Sequence, residues 1–326
     1  MGGFFNYIYT SKVCFMKLFF SLLVTTIIST FSQAQQKTIQ ERLGYAKETK
    51  LLIIHADDIG VAHAENSATF KAMQSGVVNS GSIMVPCPWF SEVVAYVKEN
   101  PKADLGLHLT LTSEWKHYKW GPVTPASAVP GLINKNGFFY SSADSVVMFA
   151  SPSEVEQEIR NQVKKSIQMG IDPTHLDAHM GTALSSPGFM KAYIKVGKEF
   201  NIPVMLGPQL ERMFGVKIDS LVTPSMVLID NIITAMPGDF KNTMKNYYTS
   251  VLNGLKPGLN CLLIHVAYDN DEMKAVSIDH PDWGSAWRQE DFDFFTSDAC
   301  RELLKKNNIV LVTWREIKDK LYRSGQ

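Results

Sequence analysis

The sequence predicts a (β/α) barrel-like fold with six or seven parallel strands, on three observations. Short apolar, β-rich runs alternate with helical patterns, as in a parallel sheet covered on both faces. Once an N-terminal segment is set aside, residues 35–326 remain, a length that such barrels reach as one domain. Titratable residues recur at or near the ends of the apolar runs, where α/β folds carry their functional groups.

The N-terminal segment is residues 1–34. From Met16 it has Lys17, an apolar stretch from Leu18 to Phe31, and small residues up to Ala34. That is the pattern of a secretory signal peptide, and Met16 itself can serve as the start. The expectation is an exported protein, periplasmic or secreted, with no membrane association beyond export. The stretch is shorter than the roughly 20 apolar residues a comfortable span needs. Removing Lys12 and Lys17 from the 32 basic residues leaves 30 against 32 acidic ones, a net charge of −2. No basic block stands out, which excludes a nucleic-acid footprint. Cys87, Cys261 and Cys300 remain, an odd number in no metal-like spacing, and they read as buried small apolar residues.

The first strand, 51–56 (LLIIHA), is followed by a helix to Gly76. Strand 77–85, a helix ended by Pro101 and strand 103–111 come next. Residues 112–150 read as irregular, holding Trp115, Trp120 and the turn signal Asn136-Gly137. Ser151-Pro152-Ser153-Glu154 is a capping box with Pro at the first helical position. Val155, Ile159, Val163 and Ile167 then recur every four residues up to Gly170. Strand 174–179, a helix over 187–200 and a strand over 202–206 follow. After a less readable stretch come strand 259–267, a charged aromatic loop at 279–295, a helix near 297–307, strand 309–314 and a terminal helix.

The first strand ends in His55, Asp57 and Asp58; the third carries His108, the fourth His175, Asp177 and His179, and strand 259–267 carries His265. A lone core histidine is usually a hydrogen-bonded structural group. Four strands ending alike describe a site. Side chains two apart share a strand face, so His108, Thr110 and Thr112 lie together, as do His175, Asp177 and His179. Asp57 and Asp58 fall on opposite faces unless the chain turns, and Gly60 suggests that it does. Imidazoles and carboxylates converging from separate elements suit one divalent cation, magnesium or zinc, with open positions left for water. One acid can then face the metal and the other a reacting water. No Gly-x-Ser-x-Gly elbow supplies a serine nucleophile.

The segments HADDIG, GVVNSGSIMVPCP, LGLHLTLT, PTHLDAHMG and LLIHVAYD occur in that order. Together they resemble the YdjC-type (ChbG/HpnK-like) carbohydrate deacetylases over nearly all of residues 35–326. The resemblance implies a barrel-like fold, a divalent cation, and removal of acetyl groups from N-acetylated mono- or oligosaccharides. Carried over by residue, it makes Asp58, His108 and His179 metal ligands, Asp57 the general base and His265 the general acid. His175 and Asp177 are expected to orient ligands or face the substrate. The sequence departs from the family after His265, reading Val-Ala-Tyr-Asp, and at Met180-Gly181. Two other readings remain: a metal hydrolase of another bond (ester, other amide or phosphoester) and a non-catalytic carbohydrate-binding protein. Trp115 and Trp120 either stack on sugar or pack their loop, Arg288 contacts substrate or an acid, and a homodimer stays open.

Overall fold

The computed structural model describes residues 37–75, 77–215, 221–240 and 243–323. Residues 1–34, read as an export signal, lie outside them. Thr38–Gln326 is one compact unit. No described helix is long and apolar enough to cross a membrane.

Seven described strands form one sheet: β1 (Lys50–Ile59), β2 (Ser80–Ile83), β3 (Leu105–Leu109), β4 (Leu176–Ala178), β5 (Asn231–Thr234), β6 (Gly258–Ile264) and β7 (Ile309–Leu311). Every pairing is parallel, in the order β4-β3-β2-β1-β6-β5 with β7 against β1. The result is a half-barrel. β1 is its centre, and Leu51 to Ile54 are wholly buried, as expected of a parallel strand covered on both faces. One edge of β1 meets β6 from Lys50 to Ala56. The other edge is shared, with β7 opposite Lys50–Leu52 and β2 opposite His55–Ile59. Asn79 bridges the changeover: its Oδ1 accepts from the Ile54 N–H at 2.8 Å and its Nδ2 donates to the Val312 carbonyl at 2.7 Å. Without it a buried N–H at the changeover would be orphaned.

The expected strand 202–206 is reduced to a bridge between Leu176 and Val204. Pro203 has no N–H to give a ladder. The segment still spans the open side of the half-barrel, since Leu176 donates to the Pro203 carbonyl and Ile229 to that of Leu206.

Helix Pro152–Gln168 starts at the predicted capping box. Val155, Ile159 and Val163 are buried, but Ile167 is exposed. Each four-residue step advances about 40° around a 3.6-residue helix, so the fourth residue has rotated off the buried face. The stretch read as irregular contains helix Ala143–Phe149, and the less readable one contains β5 and helix Met244–Gly254. Residues 279–295, read as a loop, supply most of helix Ser285–Thr296, which buries Trp287, Arg288, Asp291, Phe294 and Phe295. Cys87, Cys261 and Cys300 are buried free thiols.

Candidate active site

The C-terminal end of β1 builds the centre of the site. The register against β2 shifts between Ala56 and Ile59, and Asp58 has φ 64°. Asp is among the few residues that tolerate this left-handed conformation. The chain therefore turns between the two acids, and both are buried at the same end of the barrel. Gly60, at φ 99°, completes the turn, and its N–H donates to Asn66 Oδ1.

Asp58, His108 and His179 converge. Asp58 Oδ1 lies 3.4 Å from His108 Nε2 and 3.3 Å from His179 Nδ1. The outer nitrogens of both rings meet carboxylates, His108 Nδ1 at 2.9 Å from Asp177 Oδ2 and His179 Nε2 at 3.1 Å from Glu114 Oε2. Assigning the ring protons from these partners puts both outer N–H groups on the carboxylates. The inner lone pairs then face Asp58 Oδ1, which is buried and has no hydrogen-bond partner among the described residues. Three converging lone pairs from two imidazoles and a carboxylate are the donor set of an open divalent-cation site. Among the described residues two further groups have ligand atoms as close together, Asp57–His108–Asp177 and His55–His175–Asp177. In both, hydrogen bonds to Ser82 or Ser80 already engage carboxylate or imidazole atoms.

The charges around this donor set favour the ionised carboxylate and pull protons onto the rings. Burial works against charge on Asp58, but Arg288, His108 and His179 outweigh it and hold the carboxyl well below its ordinary range. Burial also disfavours charge on His179, yet Glu114 and Asp58 lift it to about 9; burial opposes charge on His108 too, but Asp177 and Asp57 hold it well above the ordinary histidine range. A cation bound there would have to displace protons from these rings.

Asp57 sits beside this set. Its Oδ1 is 3.1 Å from His55 Nε2 and accepts from Ser82 Oγ at 3.5 Å, and its Oδ2 is 3.8 Å from His265 Nε2. His55 is wholly buried between Ser80, Ser82, Asp57 and Asp177. Burial opposes its charge, but Asp177 and Asp57 lift it to about 9. His265 goes the other way, pushed down to about 4 by burial and the neighbouring Arg288, so its ring is neutral near pH 7. Its backbone N–H donates to Asp291 Oδ2, and Asp291 also accepts from the Tyr248 hydroxyl.

Asp177 Oδ2 accepts from His108 Nδ1 at 2.9 Å. His175 makes no hydrogen bond to a proposed ligand and stacks on Trp314 at 4.9 Å, edge-on to His55 at 4.8 Å. A Cβ at Gly106 would lie 2.4 Å from its ring, so β3 needs glycine there. Trp115 and Trp120 are 4% and 3% exposed, which decides for packing over an open stacking platform. Trp120 donates to the Thr112 carbonyl, and Trp115 backs the Arg288 guanidinium at 5.5 Å. Arg288 contacts acids, Asp58 and Glu65.

Sequence reasoning missed Glu114, Ser80, Ser82, Glu65 and Asp291. Glu114 was within reach, because the alternation through His108, Thr110 and Thr112 continues to it. Ser80 and Ser82 are polar residues two apart in a buried strand, the same signal.

Fold and site together define an α/β half-barrel with a buried His/Asp cluster at the C-terminal ends of its strands. The chain belongs to the YdjC-like protein family, whose model matches residues 51–306. It is 28% identical to a carbohydrate deacetylase of Thermus thermophilus, over 86% of this chain and 98% of that protein. It is 26% identical to a carbohydrate deacetylase of Thermoanaerobacter pseudethanolicus, over 82% of this chain and all of that one. A chitooligosaccharide deacetylase of Serratia marcescens is 32% identical over 40% of this chain and 49% of its own length. In fold, the chain is similar to an Enterococcus faecalis protein provisionally named a cellobiose-phosphate cleavage protein. The TM-score is 0.68 and the identity 19%, over 82% of this chain and 99% of that one.

Proposed function

We propose that this protein is a divalent-metal-dependent deacetylase acting on the acetamido group of an N-acetylated mono- or oligosaccharide. The observation that carries the reading is the convergence of Asp58 Oδ1, His108 Nε2 and His179 Nδ1 beside a second carboxylate, Asp57. The carbohydrate deacetylases among its relatives support the substrate class.

Asp58, His108 and His179 would hold the cation. When bound it polarises the acetamide oxygen and lowers the pKa of water to about 7. Asp57 receives the proton of the attacking water, as a base within reach of the reacting centre. His55 and Ser82 hold Asp57 Oδ1, which leaves Oδ2 for that proton. His265, neutral at rest, takes the proton from Asp57 Oδ2 and delivers it to the amine as the C–N bond breaks. Their 3.8 Å separation is of the kind that tightens once substrate is bound. Acetate and the free amino sugar are the products. We place the working enzyme outside the cytoplasm on the pattern of residues 1–34, with residues 35–326 as its single domain.

The test is acetate release from N,N′-diacetylchitobiose and other N-acetylated sugars, with and without chelator. Chelator-sensitive release is expected. No release from any sugar by folded, metal-loaded protein overturns the reading.

A further inference from the structure

Arg288 is buried on helix Ser285–Thr296, and its guanidinium is pinned at three points. Nη2 donates to Asp58 Oδ2 at 2.7 Å, Nη1 to Glu65 Oε2 at 2.8 Å and Nε to the Trp283 carbonyl at 2.6 Å. The proposed reaction uses neither Arg288 nor Glu65. A planar fork fixed this way is a rigid positive charge that blocks one oxygen of Asp58. The other oxygen faces His108 and His179 without a hydrogen-bond partner among the described residues. Glu65, wholly buried on helix His63–Gln74, has this arginine as its one salt-bridge partner among the described residues.

We infer that Arg288 and Glu65 set the strength and denticity of the metal site. Arg288 holds Asp58 to a single ligand oxygen and weakens its grip on a cation; Glu65, when ionised, offsets part of the arginine charge. This rests on reading Asp58, His108 and His179 as metal ligands. A carboxylate free at both oxygens would chelate through both and take a position that a catalytic site must keep open. A guanidinium beside the ligand also repels the dication, and in a buried site that repulsion is poorly screened. Both act through Asp58, so Arg288 and Glu65 are positioning residues.

The two substitutions have opposite predicted signs. Full-length protein stripped by chelator is titrated with Zn²⁺ against a chromophoric competitor. Arg288→Met should bind Zn²⁺ tighter, on the order of tenfold, the lower end of what changes outside the ligand set produce. Burial pushes the Glu65 carboxyl up to about 8 against the pull of Arg288, so the titration is run at about pH 9, where it is ionised; there Glu65→Gln keeps the shape, removes the charge and should bind several-fold weaker. Lost packing would loosen both, so it cannot imitate this pattern. The Co²⁺-loaded Arg288→Met protein should also show a weaker visible absorption, as coordination number rises. Wild-type protein that binds no Zn²⁺ removes the metal-site reading itself. Wild-type binding with Arg288→Met unchanged or weaker, or Glu65→Gln unchanged or tighter, overturns the pairing alone. If Arg288→Met does not fold, Arg288→Gln, which also removes the charge but keeps a polar group, takes its place and should likewise bind tighter.

Discussion

Asp57 and Asp58 are neighbours in the chain, yet their surroundings differ in kind. Asp58 is fixed from three sides, by Arg288 at 2.7 Å and by two imidazoles that carboxylates hold from behind. Asp57 has His55 at 3.1 Å on one oxygen and, on the other, His265 at 3.8 Å, with that ring 17% exposed. One half of the site is rigid before anything binds; the other keeps slack. A cation site gains affinity from ligands already in place, because little ordering remains to be done on binding. Proton transfer needs a gap that closes only around the substrate. The difference matches the proposed division of labour, metal on Asp58 and protons on Asp57.

Four substitutions bear on that division, from the largest effect to the smallest. His108→Ala removes a ligand from the rigid half and should abolish metal uptake, lowering kcat/KM by at least about 10³-fold, or about 4 kcal/mol. Metal analysis beside the assay checks it. His265→Ala acts on the loose half and should lower kcat about 10²-fold or more with metal content unchanged; loss of metal as well would blur the two halves. Glu114→Gln leaves the ligands intact but weakens the hold on His179, so metal affinity should fall about tenfold. Asp172→Asn lies far from either half and should change stability only. Burial opposes charge on Asp172, but Lys318, Arg323 and Arg315 outweigh it and hold the carboxyl below its ordinary range. Its stabilisation is therefore full above the unfolded value of about 3.9 and lost as pH falls toward the folded one. The Tm gap between wild type and Asp172→Asn should be present at about pH 7 and close in acid, whereas a gap that persists in acid would assign it to packing.

The part of this site legible in the sequence sits at or just past the ends of strands. His108, His179, Asp57 and Asp58 announced themselves because polar residues ending apolar runs contradict the local pattern, and that contradiction is readable residue by residue. Arg288 was not readable in the same way. Its partners Glu65 and Asp58 lie 223 and 230 residues away, and its helix lacks a clean apolar stripe, since it is buried partly through ion pairs. In the fold, β1 to β4, β6 and β7 were visible as short strand-like runs. β5 was not: Asn231–Thr234 is four residues long, and none of them is fully buried.

The most direct test compares Asp57→Asn with Asp58→Asn, measuring bound metal and acetate release on the same samples. Asp58→Asn should lose both. Asp57→Asn should keep its metal and lose acetate release, the result expected of a base that is not a ligand. Asp57→Asn protein that still deacetylates near the wild-type rate, or that loses its metal along with its activity, would contradict the account.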